Sequence, residues 1–279
     1  MLNHVAVMLR GHVRTWHFTC NQVFNFYESI AKNVDYYFIT YDNSNHRKIE
    51  STFKNKNLIT LQIFPQEFNN FKFYDSWRGP AAMSEFLIPW LKRREQELVN
   101  KYDYRYDALF DTRPDVYPEQ KKYLFGEKTG TFIPPLRPQP NCIYAPILEL
   151  HAAANRETID LAMQDWFMMM LPEVYEAMSK RAFMNLYEVH DAPGCQIEYI
   201  EVAREHGFNM CTMDWVNACM VRPSVFELSW WDSHDWSSIV KANEKWSNIL
   251  TEEEKIILCE RYGIEISDYK DSKSLTCKI

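Results

Sequence analysis

Short apolar runs alternate with amphipathic stretches along the N-terminal half of the chain. Three runs, His4–Leu9, Val34–Tyr41 and Leu58–Phe64, are mostly apolar or aromatic, which is typical of strands buried on both faces of a sheet. Helical spacing of the apolar residues between these runs predicts helices over Trp16–Asn33 and Lys48–Lys56. The order of strand, helix and strand predicts a βαβ unit within an α/β fold.

The rest of the chain continues this mixture of helices and strands. A long amphipathic helix is expected over Pro80–Tyr102, with a kink at Pro89, followed by a strand over Asp107–Arg113. Asp165–Met170 is too short for periodicity to separate a strand from a helix. Further strands are expected over Thr129–Pro135 and before Val221–Pro223, and further helices over Arg156–Met163, Glu173–Phe183, Cys195–His206 and Thr251–Tyr262.

Length and composition indicate one large globular domain with a helical C-terminal portion. The chain has 279 residues, of which 46% are hydrophobic and 25% charged, so it can bury a sizeable core. We expect this domain to cover residues 1–225 and a helical extension packed on it to cover 226–279. The net charge of −7 excludes an overall basic footprint for nucleic acid, although it leaves room for a local basic groove.

The cysteines predict a reducing compartment. There are 7 of them, an odd number, and none forms a C-x-x-C pair, which argues against a disulfide framework and a zinc finger. The sequence contains no leader-like apolar region and no run long enough to span a bilayer. We therefore expect a cytoplasmic protein without a membrane span.

The segment Tyr106–Val116 carries the strongest chemical signal. Apolar residues lead into Asp111, Arg113 and Asp115, and Pro114 is expected to end the strand because proline cannot donate to a central ladder. Alternation along a strand puts Asp111 and Arg113 on the same face, and Asp115 is expected to lie exposed just past the strand end. Ligands of open α/β sheets bind at this edge. The cluster suits a metal-bound or arginine-bound diphosphate, and a salt-bridged strand end is the alternative.

The loop after the first strand has features of an anion site. Gly11 allows the backbone to approach a ligand closely, and the following helix presents its N-terminus. Arg10 and Arg14 add guanidinium donors that match phosphate oxygens. The loop is neither a G-x-G-x-x-G fingerprint nor a P-loop, so an ordinary turn with two surface arginines is the alternative.

Taken in order, these segments resemble GT-A-like glycosyltransferases found in viruses and in bacterial surface-polysaccharide loci. The first loop of that family reads roughly small-Gly-x-x-Arg-Thr, its third motif reads Arg-x-Arg-x-Asp, and a later block reads Asp-x-Phe. The resemblance covers about residues 4–225. It rests on four segments: Val5–Trp16, Val34–Tyr41, Tyr106–Asp115 and Gln164–Phe167.

The resemblance implies a GT-A-like (Rossmann-like) fold, with a mixed, mostly parallel sheet that holds a nucleotide-sugar donor at its carboxyl edge. Arg10, Gly11 and Arg14 match the donor loop, and Tyr41 and Asp42 would lie near the base or ribose. The other implied site residues are Asp165 as the base that deprotonates the acceptor, and Asp115 with Asp111 as ligands of Mn²⁺ or Mg²⁺ or as contacts of the donor sugar.

The chain departs from the family in its third motif. Asp111 stands where the family has its first arginine, and Arg113 separates the two acids. Arg113 is therefore an alternative to the metal as the partner of the diphosphate.

The function implied is transfer of a sugar from a nucleotide-sugar donor to an acceptor hydroxyl, with retention or inversion left open. The acceptor is a glycan, or a hydroxymethylated DNA base if the protein is viral and acts in the host cytoplasm. The rival is a non-catalytic nucleotide- or glycan-binding domain on the same scaffold. Two aromatic segments, Trp77–Gly79 and Trp230–Trp236, are candidates for acceptor contacts or for ordinary core packing.

Overall fold

The computed structural model describes most of the N-terminal three quarters of the chain. The described residues are 1–11, 13, 16–41, 46–64, 67–68, 71–72, 83–122, 134–146, 148–152, 159–163, 167–188 and 202–220. Four predicted features lie wholly or partly outside these residues: the strand over Thr129–Pro135, of which only the last two residues are described, the start of the helix at Cys195, the helix over Thr251–Tyr262 and the C-terminal extension.

Helices and strands alternate along the chain. The helices are α1 (Trp16–Ile30), α2 (His46–Thr52), α3 (Ile88–Tyr102) and α4 (Pro172–Glu188), and a 3₁₀ turn covers Ser84–Leu87. The strands are β1 (Leu2–Arg10), β2 (Ala31–Tyr41), β3 (Asn57–Phe64), β4 (Glu67–Phe68), β5 (Phe71–Lys72), β6 (Ala108–Thr112), β7 (Val116–Gln120), β8 (Cys142–Ala145), β9 (Leu148–Ala152), β10 (Ile159–Met163), β11 (Phe167–Met170), β12 (Asn209–Thr212) and β13 (Val216–Met220).

A mixed, mostly parallel sheet of seven strands organises the molecule. Its order is β12-β8-β11-β6-β1-β2-β3, and β11 runs antiparallel to both of its neighbours while the other adjacent pairs are parallel. Three further pairs, β9 with β10, β7 with β13 and β4 with β5, form separate two-stranded sheets. The fold class predicted from the sequence, a mostly parallel sheet flanked by helices, is confirmed.

The central strands are mostly apolar because both of their faces are buried. Val5, Val7 and Leu9 of β1 pack with α1 in an aromatic-rich layer that includes Trp16 and Phe24. Alternate residues of the same strands face a second layer, formed with the 3₁₀ turn, α3 and α4. The sheet therefore has an α1 side and an α4 side, and a residue's position in its strand decides which side it joins.

Two predicted elements are wrong. The helix expected over Arg156–Met163 is instead, over Ile159–Met163, the strand β10, which pairs antiparallel with β9. The kink expected at Pro89 is also absent, since α3 begins at Ile88 and Pro89 occupies its first turn. A proline there costs no helical hydrogen bond, because the first N–H groups of a helix have no partner within it.

The amino edge of the sheet is joined by a buried polar network centred on Asp35. Its carboxylate accepts hydrogen bonds from the Tyr106 hydroxyl at 2.6 Å and from Arg94 Nε at 2.8 Å, and it lies 3.1 Å from His4 Nε2. Asn57 of β3 donates to the same carboxylate. Side chains from two strands, one helix and the loop before β6 thus converge on the buried charge of Asp35 in β2.

Candidate functional site

The strand order reverses direction next to β1, at the centre of the sheet. From β1 the chain moves to β2 and β3 on one side, and it then returns to place β6 on the other side. Open α/β sheets bind ligands in the crevice at such a reversal, outside the carboxyl ends of the strands. The candidate site is therefore the carboxyl edge of β1 and β6, which we define as residues Arg10, Gly11 and 111–115.

Gly11 turns the chain out of β1. Its φ is 111°, a backbone conformation that side-chain-bearing residues rarely adopt, and its N–H donates to the Ile39 carbonyl of β2 at 3.1 Å. The Trp16 N–H donates to the Val13 carbonyl at 3.0 Å as α1 begins. Thr19 in the first turn of α1 contacts the Pro114 carbonyl, so a helix N-terminus lies at the carboxyl edge, as the sequence predicted.

Arg10 is fully buried and pairs with Asp111 across adjacent strands. Its Nε donates to Asp111 Oδ1 at 2.7 Å, and both residues are at most 1% exposed. Arg10 follows Met8 by two positions in β1, and Asp111 follows Leu109 by two in β6, so both belong to the α4 side. A phosphate contact by Arg10 stays a prediction, and its bond to Asp111 already neutralises an interior carboxylate.

The α4 side supplies polar neighbours that the sequence analysis missed. Tyr175 and Ser179 of α4 and Ser84 of the 3₁₀ turn are buried in this layer. Burial raises the pKa of Tyr175, and the Asp111 carboxylate raises it further, so the phenol stays neutral. Sequence spacing placed Tyr175 on a helix, but nothing in it linked that helix to Asp111.

Arg113 and Asp115 form a bidentate ion pair in the turn after β6. Arg113 Nε donates to Asp115 Oδ1 at 2.9 Å, and a terminal guanidinium nitrogen donates to Oδ2 at 2.8 Å. Asp115 is wholly buried, whereas 15% of the Arg113 side chain is exposed. The expectation that Asp115 is exposed is therefore wrong. The carboxylate can be buried because the Arg113 guanidinium compensates its charge.

The turn itself is fixed by two further hydrogen bonds. The Thr19 hydroxyl of α1 donates to the Pro114 carbonyl at 2.6 Å, and the Val116 N–H donates to the Arg113 carbonyl at 3.1 Å. The predicted strand end near Pro114 is confirmed, since β6 ends at Thr112. Because Arg113 lies outside the strand, alternation does not apply to it, and it pairs with Asp115.

Each of the two acids at this edge holds an arginine, and a metal bound by Asp111 and Asp115 stays a prediction. Mg²⁺ and Mn²⁺ need oxygen ligands with accessible lone pairs. Both oxygens of Asp115 accept from Arg113, and Asp111 Oδ1 accepts from Arg10. In the part of the chain that the structure describes, no three His, Cys, Asp or Glu residues lie close enough together to hold a metal ion.

The remaining predicted site residues are only partly described. Tyr41 is the last residue of β2, beside β1, so its backbone reaches the same edge of the sheet. Its side chain, and all of Arg14, Asp42 and Asp165, lie outside the described residues. Their roles stay predictions.

Comparison with known proteins gives little further information. No protein-family model matches the chain, and no curated protein matches it. The chain is similar to the crystal structure of a nucleoside-diphosphate-sugar pyrophosphorylase from Vibrio cholerae RC9, with 10% sequence identity over 76% of this chain and 93% of that chain. The TM-score is 0.36, which assigns no function. None of the helices in the described ranges is long and apolar enough to cross a membrane.

Proposed function

We propose that this chain is a glycosyltransferase that moves a sugar from a nucleotide-sugar donor to a hydroxyl group of a glycan. One observation carries the proposal: the Gly11 turn and the Arg113–Asp115 turn follow adjacent strands at the point where the strand order reverses. Three of the four segments that resemble glycosyltransferases, Val5–Trp16, Val34–Tyr41 and Tyr106–Asp115, include the carboxyl ends of β1, β2 and β6. A nucleotide diphosphate suits a crevice with these groups.

The donor would bind with its diphosphate over the start of α1. Gly11 has no side chain to obstruct a phosphate, and α1 is 15 residues long, so its N-terminus favours an anion. Arg14 would add a charged donor to the same loop. Tyr41 and Asp42, which follow the adjacent strand β2, would contact the base or the ribose.

Transfer requires two bond changes at the anomeric carbon. The acceptor oxygen forms a bond to this carbon, and the bond from the carbon to the diphosphate oxygen breaks, leaving a nucleoside diphosphate. The acceptor's proton passes to a carboxylate. Asp165 is our candidate for that base, since it stands two positions before Phe167, which pairs with Thr112 at the carboxyl end of β6.

Asp165→Asn tests this assignment. Loss of a general base lowers the transfer rate by about 10²–10⁴-fold, while donor affinity should stay within about twofold of wild type. Steady-state kinetics with a saturating donor, together with calorimetric donor titration, measure both quantities. Asp103→Asn is a matched control, because Asp103 is exposed at the other end of the sheet and asparagine tolerates its positive φ of 56°. Wild-type turnover in the Asp165 variant would contradict the role.

A panel of sugar nucleotides tests the function itself. We expect at least one to raise the melting temperature and to be slowly hydrolysed to sugar and nucleoside diphosphate without acceptor. Stabilisation without hydrolysis or transfer would favour the non-catalytic binding domain. Transfer to hydroxymethylated DNA, but to no glycan, would show that the acceptor is a modified DNA base and not a glycan. If no sugar nucleotide and no nucleoside diphosphate bound, the proposal would fail.

A further inference from the structure

We infer that the α4 side of the candidate site holds the pocket for the sugar of the donor, lined by the hydroxyl groups of Tyr175, Ser179 and Ser84. The inference rests on the proposed function and extends it from the nucleotide to the group that is transferred. It gives a role to α4 and to the 3₁₀ turn, which no motif in the sequence connects with the site.

Three buried hydroxyl groups lie together on this side of the sheet. Burial and the Asp111 carboxylate raise the pKa of Tyr175, whereas the neighbouring Ser84 and Ser179 hydroxyls act in the opposite direction. Among the described residues, none of the three hydroxyl oxygens has a hydrogen-bond partner in bonding geometry, and each residue is at most 2% exposed. The large majority of buried polar side-chain atoms are paired, so a group of three unpaired hydroxyls points to a ligand that completes them.

An unpaired phenol elsewhere in the molecule shows what aromatic packing alone produces. Tyr36 of β2 is also buried, and its hydroxyl also lacks a partner among the described residues. It stands in the aromatic layer on the α1 side, against the rings of Phe24 and Phe53. Tyr175 differs because two further hydroxyl groups lie beside it, so polar groups are gathered there and not merely tolerated.

The three hydroxyl groups border the carboxyl edge of the sheet. Tyr175 is close enough to Asp111 and Arg10 for both charges to affect its pKa. Arg10 is the last residue of β1, and Asp111 is the penultimate residue of β6. Ser179 follows Tyr175 by four positions and therefore lies on the same face of α4. The pocket thus adjoins the crevice in which the donor diphosphate would bind.

The chemistry of these groups suits a neutral ligand with several hydroxyl groups. A side-chain hydroxyl both donates and accepts hydrogen bonds, as each hydroxyl of a sugar does. The charges beside Tyr175 belong to Arg10 and Asp111, which compensate each other in an ion pair. Phosphate is held best by donors that carry positive charge. The pocket is therefore better suited to the sugar than to the diphosphate.

Burial of the three groups implies that the pocket closes around its ligand. Because these residues are at most 2% exposed, a sugar reaches them only when the α4 layer and the strand ends separate. A ligand shifts a conformational equilibrium by its differential affinity for the two states, and hydrogen bonds to unpaired hydroxyls supply such a difference. Enclosure also excludes water, which protects the donor from hydrolysis.

Tyr175→Phe tests the pocket, with Tyr36→Phe as the matched control. Each substitution removes one unpaired buried hydroxyl and keeps the ring, so both variants should melt at or above the wild-type temperature. Calorimetry on the full chain then compares UDP, GDP, ADP and CDP with the corresponding nucleotide hexoses and pentoses.

The expected result separates the sugar from the nucleotide. For the sugar nucleotide that binds, Tyr175→Phe should weaken affinity by about three- to tenfold, the effect of one hydrogen bond, and leave affinity for the free nucleoside diphosphate within about twofold of wild type. Ser179→Ala should give the same split, and Tyr36→Phe should change neither affinity.

Several results would overturn the pocket while leaving nucleotide binding intact. Wild-type affinity for the sugar nucleotide in either variant would remove its hydroxyl from the pocket, and in both would overturn the inference. Equal losses for the sugar nucleotide and the free nucleoside diphosphate, or a lowered melting temperature of Tyr175→Phe, would assign these hydroxyls to the fold. Binding of nucleoside diphosphates without any sugar nucleotide would also overturn it. Failure of every nucleotide to bind would reject the proposed function instead.

Discussion

Ion pairs occur at both the amino edge and the carboxyl edge of the central sheet, but they serve different purposes. At the amino edge, Asp35 collects donors from His4, Arg94, Tyr106 and Asn57. At the carboxyl edge, Asp111 and Asp115 each hold one arginine, in strand ends and a turn that border the crevice. One carboxylate shared by many elements binds the fold together. Carboxylates that each orient an arginine fit a site for an anion.

The pKa of Asp35 reflects this difference. Burial alone would raise it, but hydrogen bonds from His4, Arg94 and Tyr106 outweigh burial and lower the pKa of Asp35 from 3.8 to about 2. The ionised form is thus the one that the fold prefers. The amino edge should therefore govern stability, and the carboxyl edge should govern ligand affinity.

The largest effect expected from this comparison is that of Asp35→Ala. Removing one partner of a buried ion pair leaves the others unsatisfied and costs about 3–5 kcal/mol of unfolding free energy. Urea unfolding measures this loss, and nucleotide affinity of the folded fraction should not change. A loss below about 1 kcal/mol would contradict the structural role of the amino edge.

Arg14→Ala should instead weaken nucleotide binding and leave stability nearly unchanged. If Arg14 contacts the donor diphosphate, its loss weakens nucleotide binding by about 1.5–3 kcal/mol, the value of a hydrogen bond to a charged group. The free energy of unfolding should change little. Calorimetric titration measures the affinity, with Arg105→Ala as a control on an exposed arginine near the amino edge. Unchanged affinity in a folded Arg14 variant would remove it from the donor loop.

Acid should weaken the fold through Asp35. A carboxylate whose pKa is lowered from 3.8 to about 2 contributes about 2 kcal/mol above pH 4, and this contribution disappears as pH falls from 4 towards 2. Urea unfolding of wild type and of Asp35→Asn at several pH values between about 5 and about 2 tests this expectation. The variant should lose less stability over the range, and an equal loss in both proteins would assign the acid sensitivity to other groups.

The smallest effect is expected for the surface pair of Arg137 with Asp107. The Arg137 side chain is 66% exposed, so Arg137→Ala should change the unfolding free energy by less than about 1 kcal/mol and leave affinity unchanged. Parallel unfolding and titration experiments check both values. A larger loss of stability would show that exposed ion pairs also contribute to the amino edge.

The sequence predicted the fold better than the site. Apolar runs identified β1, β2 and β6 because both faces of these strands are largely buried. The same signal identified β3, although this edge strand is only partly buried. The strand β10 was missed, since its pairing with β9 is a tertiary contact that helical spacing cannot reveal.

Which charged residues of the site are buried depends on their ion-pair partners, and the spacing of residues in the sequence does not show these partners. The sequence located Arg113 and Asp115, but not the bidentate bond that lets Asp115 be buried. A charged residue inside an otherwise apolar strand, such as Asp35, was a usable signal of an interior network.

Hydrogen exchange with and without a bound nucleoside diphosphate tests the central claim most directly. The account predicts that the nucleotide slows amide exchange at residues 9–13 and 112–116, and leaves the amino-edge residues 33–36 and 104–107 unchanged. Slower exchange at the amino edge, with none at the carboxyl edge of β1 and β6, would contradict the assignment of the site.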